Sequence, residues 1–167
     1  MIKKNIILAN LVAVSLILFL LESMIPLPIL APGAKLGLSQ VVVLFTLYYF
    51  SAKDAFLLMF VKCVLSSMFF GGPVVFIYSI AGGILSLSVM TVLKNSAKFS
   101  VFGISAAGGF FHNFAQLVVA FFVLKTKSFF YYLSVLGPIG IATGIVIGII
   151  TNEILKRTTL LSYGKSN

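Results

Sequence analysis

Carboxylates are scarce in this chain. Asp54, Glu22 and Glu153 are its only acidic residues. An enzyme that holds a diphosphate through magnesium needs clustered aspartates, and Asp54 stands alone. Histidine and cysteine are scarcer still, with His112 and Cys63 the single examples of each, so no cluster of His and Cys with metal-ligand spacing exists. A lone cysteine forms no internal disulfide, so it carries no information about redox compartment. The sequence contains neither a Walker motif nor a nucleophile elbow. These absences argue against ATP hydrolysis by the chain itself and against an enzyme, and they leave no catalytic residue, metal or covalently bound cofactor to expect.

What replaces charge is hydrophobicity. Apolar residues make up 60% of the 167 and charged residues 9%, and the mean hydropathy is +1.18. That balance belongs to an integral membrane protein. A span needs about 20 apolar residues to cross roughly 30 Å of hydrocarbon. Six candidates emerge, at about 5–25, 36–51, 54–70, 73–93, 100–124 and 129–154. The expected fold is therefore an all-α, polytopic bundle of six transmembrane helices, a single membrane domain over 1–167. The second and third spans are short, and their junction "FSAKDAF" reads as a tight helical hairpin or as one broken helix.

The formal charge of +9 comes from twelve Lys and Arg. With the N-terminus inside, Lys3, Lys4, Lys53, Lys94, Lys98, Lys156, Arg157 and Lys165 fall on the cytoplasmic side. Lys35, Lys125 and Lys127 fall outside, and Lys62 lies within a span. The bias predicts that both termini face the cytoplasm. Basic charge is thus an orientation signal, and the expected partner is the lipid bilayer rather than nucleic acid. The N-terminal "MIKKNIILANLVAVSLILFLLES" imitates a secretory signal, but its apolar part is long and no convincing cleavage site follows, so it reads as the first span.

Loops are short, and the polar tail "KRTTLLSYGKSN" is too short to fold alone. The longest non-helical piece, "PLPILAPGA" at 26–34, is held extended by three prolines and reads as a stiff outer flap. A second break, "FFGGPVVF", joins the third and fourth spans. "AGG" occurs at 81–83 and at 107–109, which fits either an internal repeat or small residues for close helix packing.

Polar groups inside spans are costly and usually face the bundle interior or a cavity. Lys62 lies nearly midway along its span with Ser66 one turn later; it reads either as a cation for an anionic ligand or as half of a buried ion pair with Glu22. His112 and Gln116 share a helical face, with Asn113 one position round; a lone His reads as a satisfied core residue, but three polar side chains within five positions read as a pocket wall. Glu22 near the outer end of the first span, Lys35 and Gln40 at the outer start of the second, and Tyr78 and Ser79 on the fourth reach a similar depth. Lys35 also reads as a snorkelling lysine. Counting Lys35 and Lys62 against Glu22 leaves the candidate substrate site slightly positive, which favours an acidic or phosphorylated small molecule. On the inner half, Ala9 and Ala13 form a small-residue pair four apart on one face of the first span, suited to close helix approach.

The stretches "PGAKLGLSQVVVLF", "GGPVVFIYSIAGGILSLSVM" and "GGFFHNFAQLVVA" together resemble the Gx transporter family of small bacterial membrane proteins, also labelled heptaprenyl diphosphate synthase component I. The resemblance spans nearly the whole chain. These proteins are in turn similar to the substrate-binding S components of energy-coupling factor (ECF) transporters. That similarity implies a six-helix subunit of the bacterial cytoplasmic membrane that captures a micronutrient on the outer side. It also implies a T subunit and two partner ATPase subunits, the only users of ATP, and a small-residue motif on the first helix that meets the T subunit, a pattern Ala9 and Ala13 match. The other label implies a non-catalytic membrane component associated with isoprenoid synthesis. No ligand residue carries over, because S components read their vitamins with different residues.

Overall fold

A computed structural model describes residues 2–24, 37–70, 72–124 and 129–163. Within them the chain forms six helices: α1 (Ile2–Ser23), α2 (Gln40–Tyr49), α3 (Ala52–Phe70), α4 (Gly72–Asn95), α5 (Val101–Leu124) and α6 (Phe129–Tyr163). The flap at 26–34 and Lys35, Lys125, Lys127 and Lys165 lie outside the described residues.

Four of the helices, α1, α4, α5 and α6, are long and apolar enough to cross a membrane. α2 has 10 residues and α3 carries Lys53, Asp54 and Lys62. α6 continues past 154, where its span was expected to end, to Tyr163. The polar tail holds no helix breaker before Gly164, so nothing in its first residues stops the helix. Pro138 lies inside α6, where it withholds the N–H that Ser134 would otherwise receive.

The junction between α2 and α3 resolves as a hairpin, since the two helices pack on one another. Phe50 leaves helical geometry at φ −111°, ψ −102°. Ser51 then caps α3: its hydroxyl accepts from the Asp54 N–H at 3.2 Å and donates to the Asp54 carboxylate at 2.5 Å. Asp54 also takes an ion pair from Lys4 at 2.8 Å, tying the start of α1 to the start of α3. At the same end Lys94 donates to the Leu47 carbonyl at 2.6 Å, which satisfies an orphan acceptor in the last turn of α2.

The core is built on α2, α3, α4 and α5, with Val43, Leu44, Leu47, Leu58, Leu87 and Ile104 essentially sealed. α5 packs most extensively on α6 and next on α4. The two AGG triplets explain part of this closeness. A Cβ at Gly83 would lie 2.6 Å from Met59 Sδ, one at Gly108 2.5 Å from Met90 Sδ, and one at Gly109 2.0 Å from the Gly140 carbonyl oxygen. Each glycine receives a neighbour that any side chain would displace, which is the packing reading of the triplets.

Candidate functional site

Between α1 and α5 the helices leave a cavity of about 510 Å3 of empty space, its mouth included. α1 contributes Phe19 and Glu22 to its wall, the short approach to α2 Gly37 and Ser39, and α2 itself Gln40. Met59, Lys62 and Cys63 come from α3, Ser79 and Gly83 from α4, and His112, Asn113 and Gln116 from α5. The period of each helix sets this convergence: Glu22 follows Phe19 by three positions, Lys62 follows Met59 by three, and Gln116 follows His112 by four.

The two opposite charges are built in by specific contacts. Glu22 is 3% exposed and its carboxylate accepts the backbone N–H of Gly37. Gly37 has φ +76°, a left-handed conformation that glycine adopts without strain. Lys62 is 8% exposed; its ammonium donates to Ser39 Oγ at 2.5 Å and lies 5.8 Å from the centre of the Phe19 ring, a cation–π distance. Ser66 lies on the same face but bonds back to the Cys63 carbonyl at 3.2 Å and does not line this cavity.

His112 is held between two glutamines. Gln40 Nε2 is 3.1 Å from its Nδ1, and Gln116 Nε2 is 3.2 Å from its Nε2. A neutral imidazole has one N–H and one lone pair, so both amides cannot donate to it at once. One glutamine therefore presents its carbonyl oxygen to the ring N–H, the two ends of a carboxamide being exchangeable by rotation. The ring lies directly against α4, because a Cβ on Gly82 would sit 2.8 Å from His112 Cε1.

Six of the sequence-expected residues, Glu22, Gln40, Lys62, His112, Asn113 and Gln116, line the one cavity. Asn113 also ties two helices together, donating to the Leu136 carbonyl of α6 at 2.8 Å. Tyr78 is half-buried and does not line the cavity; its neighbour Ser79 does. Lys35 is outside the described residues, so the described charges of the wall are Glu22 and Lys62, one of each sign. Ser39, Phe19, Met59 and Cys63 escaped the sequence reading. Ser39 had a signal in its place beside Gln40, whereas an apolar or sulfur-bearing residue in a span looks the same in a core and in a pocket wall.

Ala9 and Ala13 are exposed, on the side of α1 away from the buried stripe of Leu8, Ser15, Phe19 and Glu22. Ile2, Ile6 and Ile17 are exposed with them.

This architecture is similar in fold to that of an S component. The chain superposes on an S component of a bacterial ECF transporter with a TM-score of 0.73, over 95% of this chain and 96% of that one, at 23% identity. The model of the family described as heptaprenyl diphosphate synthase component I matches residues 11–154, and the chain belongs to that family. No curated protein matches it. The chain is a multi-pass membrane protein with the S-component fold.

Proposed function

We propose that this chain is the substrate-binding S component of an energy-coupling factor importer for a small anionic micronutrient or precursor. The observation that carries the reading is a buried Lys62 and a buried Glu22 on the wall of one cavity, within a fold shared with an S component. A buried ammonium in a span is expensive without a role, and Lys62 is aimed at that cavity by Ser39 and Phe19. In this reading all six helices cross the bacterial cytoplasmic membrane with both termini inside. Lys35 adds the second positive charge that favours an anion. A T subunit docks on the Ala9 and Ala13 face of α1, which this chain leaves uncovered, and two ATPase subunits supply the energy.

The test is mass spectrometry of small molecules released from the protein purified in mild detergent, with Lys62→Ala alongside. Loss of a hydrogen bond to a charged group costs about 1.5–3 kcal/mol, so retention of a water-soluble metabolite should fall roughly ten- to a hundredfold while thermal stability stays near wild type. Equal retention by both chains removes Lys62 from the ligand site.

The family description supports a second reading, a non-catalytic membrane component associated with isoprenoid diphosphate synthesis. It predicts a prenyl lipid among the released molecules and a soluble partner synthase whose activity depends on this chain. A partner fully active alone removes it.

A further inference from the structure

A second cavity, of about 380 Å3 of empty space with its open mouth included, lies between α2, α4, α5 and α6. Gly37, Gln40, His112 and Asn113 line both cavities. The two are therefore neighbouring compartments, with the Gln40–His112 contact at their junction. Their walls differ in chemistry. Glu22 and Lys62 line the first compartment. Among the described residues, no Lys, Arg, Asp or Glu lines the second, whose own polar groups are the hydroxyls of Ser86, Ser105 and Thr143.

Thr143 is bonded to the Gly140 carbonyl at 3.2 Å. Ser86 and Ser105 are different. They are 2% and 3% exposed, they line the compartment from α4 and α5, and neither hydroxyl has a hydrogen-bond partner among the described residues. Hydroxyls on a cavity wall are paired with protein, with ordered water or with a bound molecule. A serine or threonine within a helix is able to satisfy its hydroxyl on a carbonyl three or four residues earlier, as Ser66, Ser67 and Thr91 do here. Ser86 and Ser105 make no such bond and face one shared space from two helices, so they offer two hydroxyls to an occupant with hydrogen-bonding groups of its own. The surroundings set its charge: hydroxyls, amides and one imidazole stabilise a neutral polar group, whereas an ion there would lose hydration with no opposite charge to meet it.

We infer that the ligand is a two-part molecule. An uncharged hydrogen-bonding moiety, such as a ring bearing carbonyl or amide groups, occupies the inner compartment against Ser86 and Ser105. A charged end stays beside Lys62 and Glu22. This assignment rests on the capture-subunit reading and names the substrate class for the same site. Ser79 and Ser86 mark the two compartments on a single helix, α4, about 10 Å apart along its axis.

Thiol labelling tests the division without knowledge of the ligand. Ser79→Cys and Ser86→Cys are made separately in a Cys63→Ala chain and treated with uncharged methyl methanethiosulfonate or anionic sulfonatoethyl methanethiosulfonate. The uncharged reagent is expected to modify both positions. The anionic one is expected to modify Ser79→Cys, but Ser86→Cys at least about tenfold more slowly than the uncharged reagent does. Ser105→Cys, on the facing wall, repeats the measurement if Ser86→Cys does not fold. Equal rates for the two reagents at the inner position overturn the proposal, and so does an inner thiol that neither reagent reaches, which leaves a compartment fit only for water. The labelling involves no transport. Lost selectivity therefore overturns the two-part ligand alone, and absent coupled uptake with selectivity intact overturns the importer reading alone.

Discussion

Where α5 meets α6, backbone touches backbone; where α1 meets α3, side chains make the connection. A Cβ on Gly140 would lie 2.6 Å from the Gly109 carbonyl oxygen, and one on Gly144 2.4 Å from that of Ser105. In lipid no hydrophobic force draws two apolar helices together, so such close approach is a main source of their association. α1, by contrast, is joined through the Lys4–Asp54 ion pair and through Phe19 and Leu8, and its Ile2, Ile6, Ala9, Ala13 and Ile17 side is uncovered. A backbone contact tolerates one register, whereas contacts through side chains survive small shifts. α5 and α6 therefore form the frame, and α1 is the part able to exchange neighbours.

The sharpest way to break this contrast is Gly140→Ala. The added methyl meets backbone and Asn113 Nδ2 at 2.7 Å, and neither yields cheaply. We expect a loss of about 3 kcal/mol or more, read as a collapse of the monodisperse peak in detergent. Gly103→Ala, on the same α5 but with nothing nearer than Ser100 Oγ at 3.6 Å, should instead be neutral or stabilise by up to about 1 kcal/mol. If both alanines behave alike, the frame is not held by backbone contact.

A bulky residue on α1 should do the opposite. Ala13→Phe adds its ring to an uncovered surface, so thermal stability and ligand retention should stay at wild-type values while, under the proposed importer function, coupled uptake is abolished. Uptake that survives places the docking face elsewhere. Smaller effects are expected from the ion pair. Lys4 is 46% exposed and Asp54 13%, so Asp54→Asn should cost only about 0.2–1 kcal/mol, with the difference shrinking at high salt. Smallest of all is Ser15→Ala. Ser15 Oγ is fully buried and without a partner among the described residues, and removing such a hydroxyl should leave the melting temperature unchanged or slightly higher. A clear drop would reveal a partner for that group.

The candidate site was partly legible because some of its members are chemically out of place. Lys62 in a span, and His112 with Gln116 on one face, announce themselves against an apolar background. Ser86 and Ser105 do not. A serine in a span does not stand out by itself, and only the packed helices show that these two, unlike Ser66, are unbonded among the described residues and line the second cavity. The choice between Tyr78 and Ser79 turned on helix rotation, which hydropathy alone does not set. Glu22 could be placed at a helix end, but its partner, the N–H of a left-handed Gly37, is a contact that only the tertiary structure shows.

By itself the sequence determined the helical class, residence in the membrane and the approximate limits of the helices, because hydropathy and the 3.6-residue period are local properties that each segment carries alone. The tertiary structure decided which polar groups meet. Gln40 reaches His112, and Lys62 reaches Ser39, across 72 and 23 positions of chain. Those meetings depend on how closely the helices approach, and that closeness is set where Gly82, Gly83, Gly108 and Gly109 admit particular neighbours. A glycine in a sequence says that something is able to come near; only the packed bundle says what does.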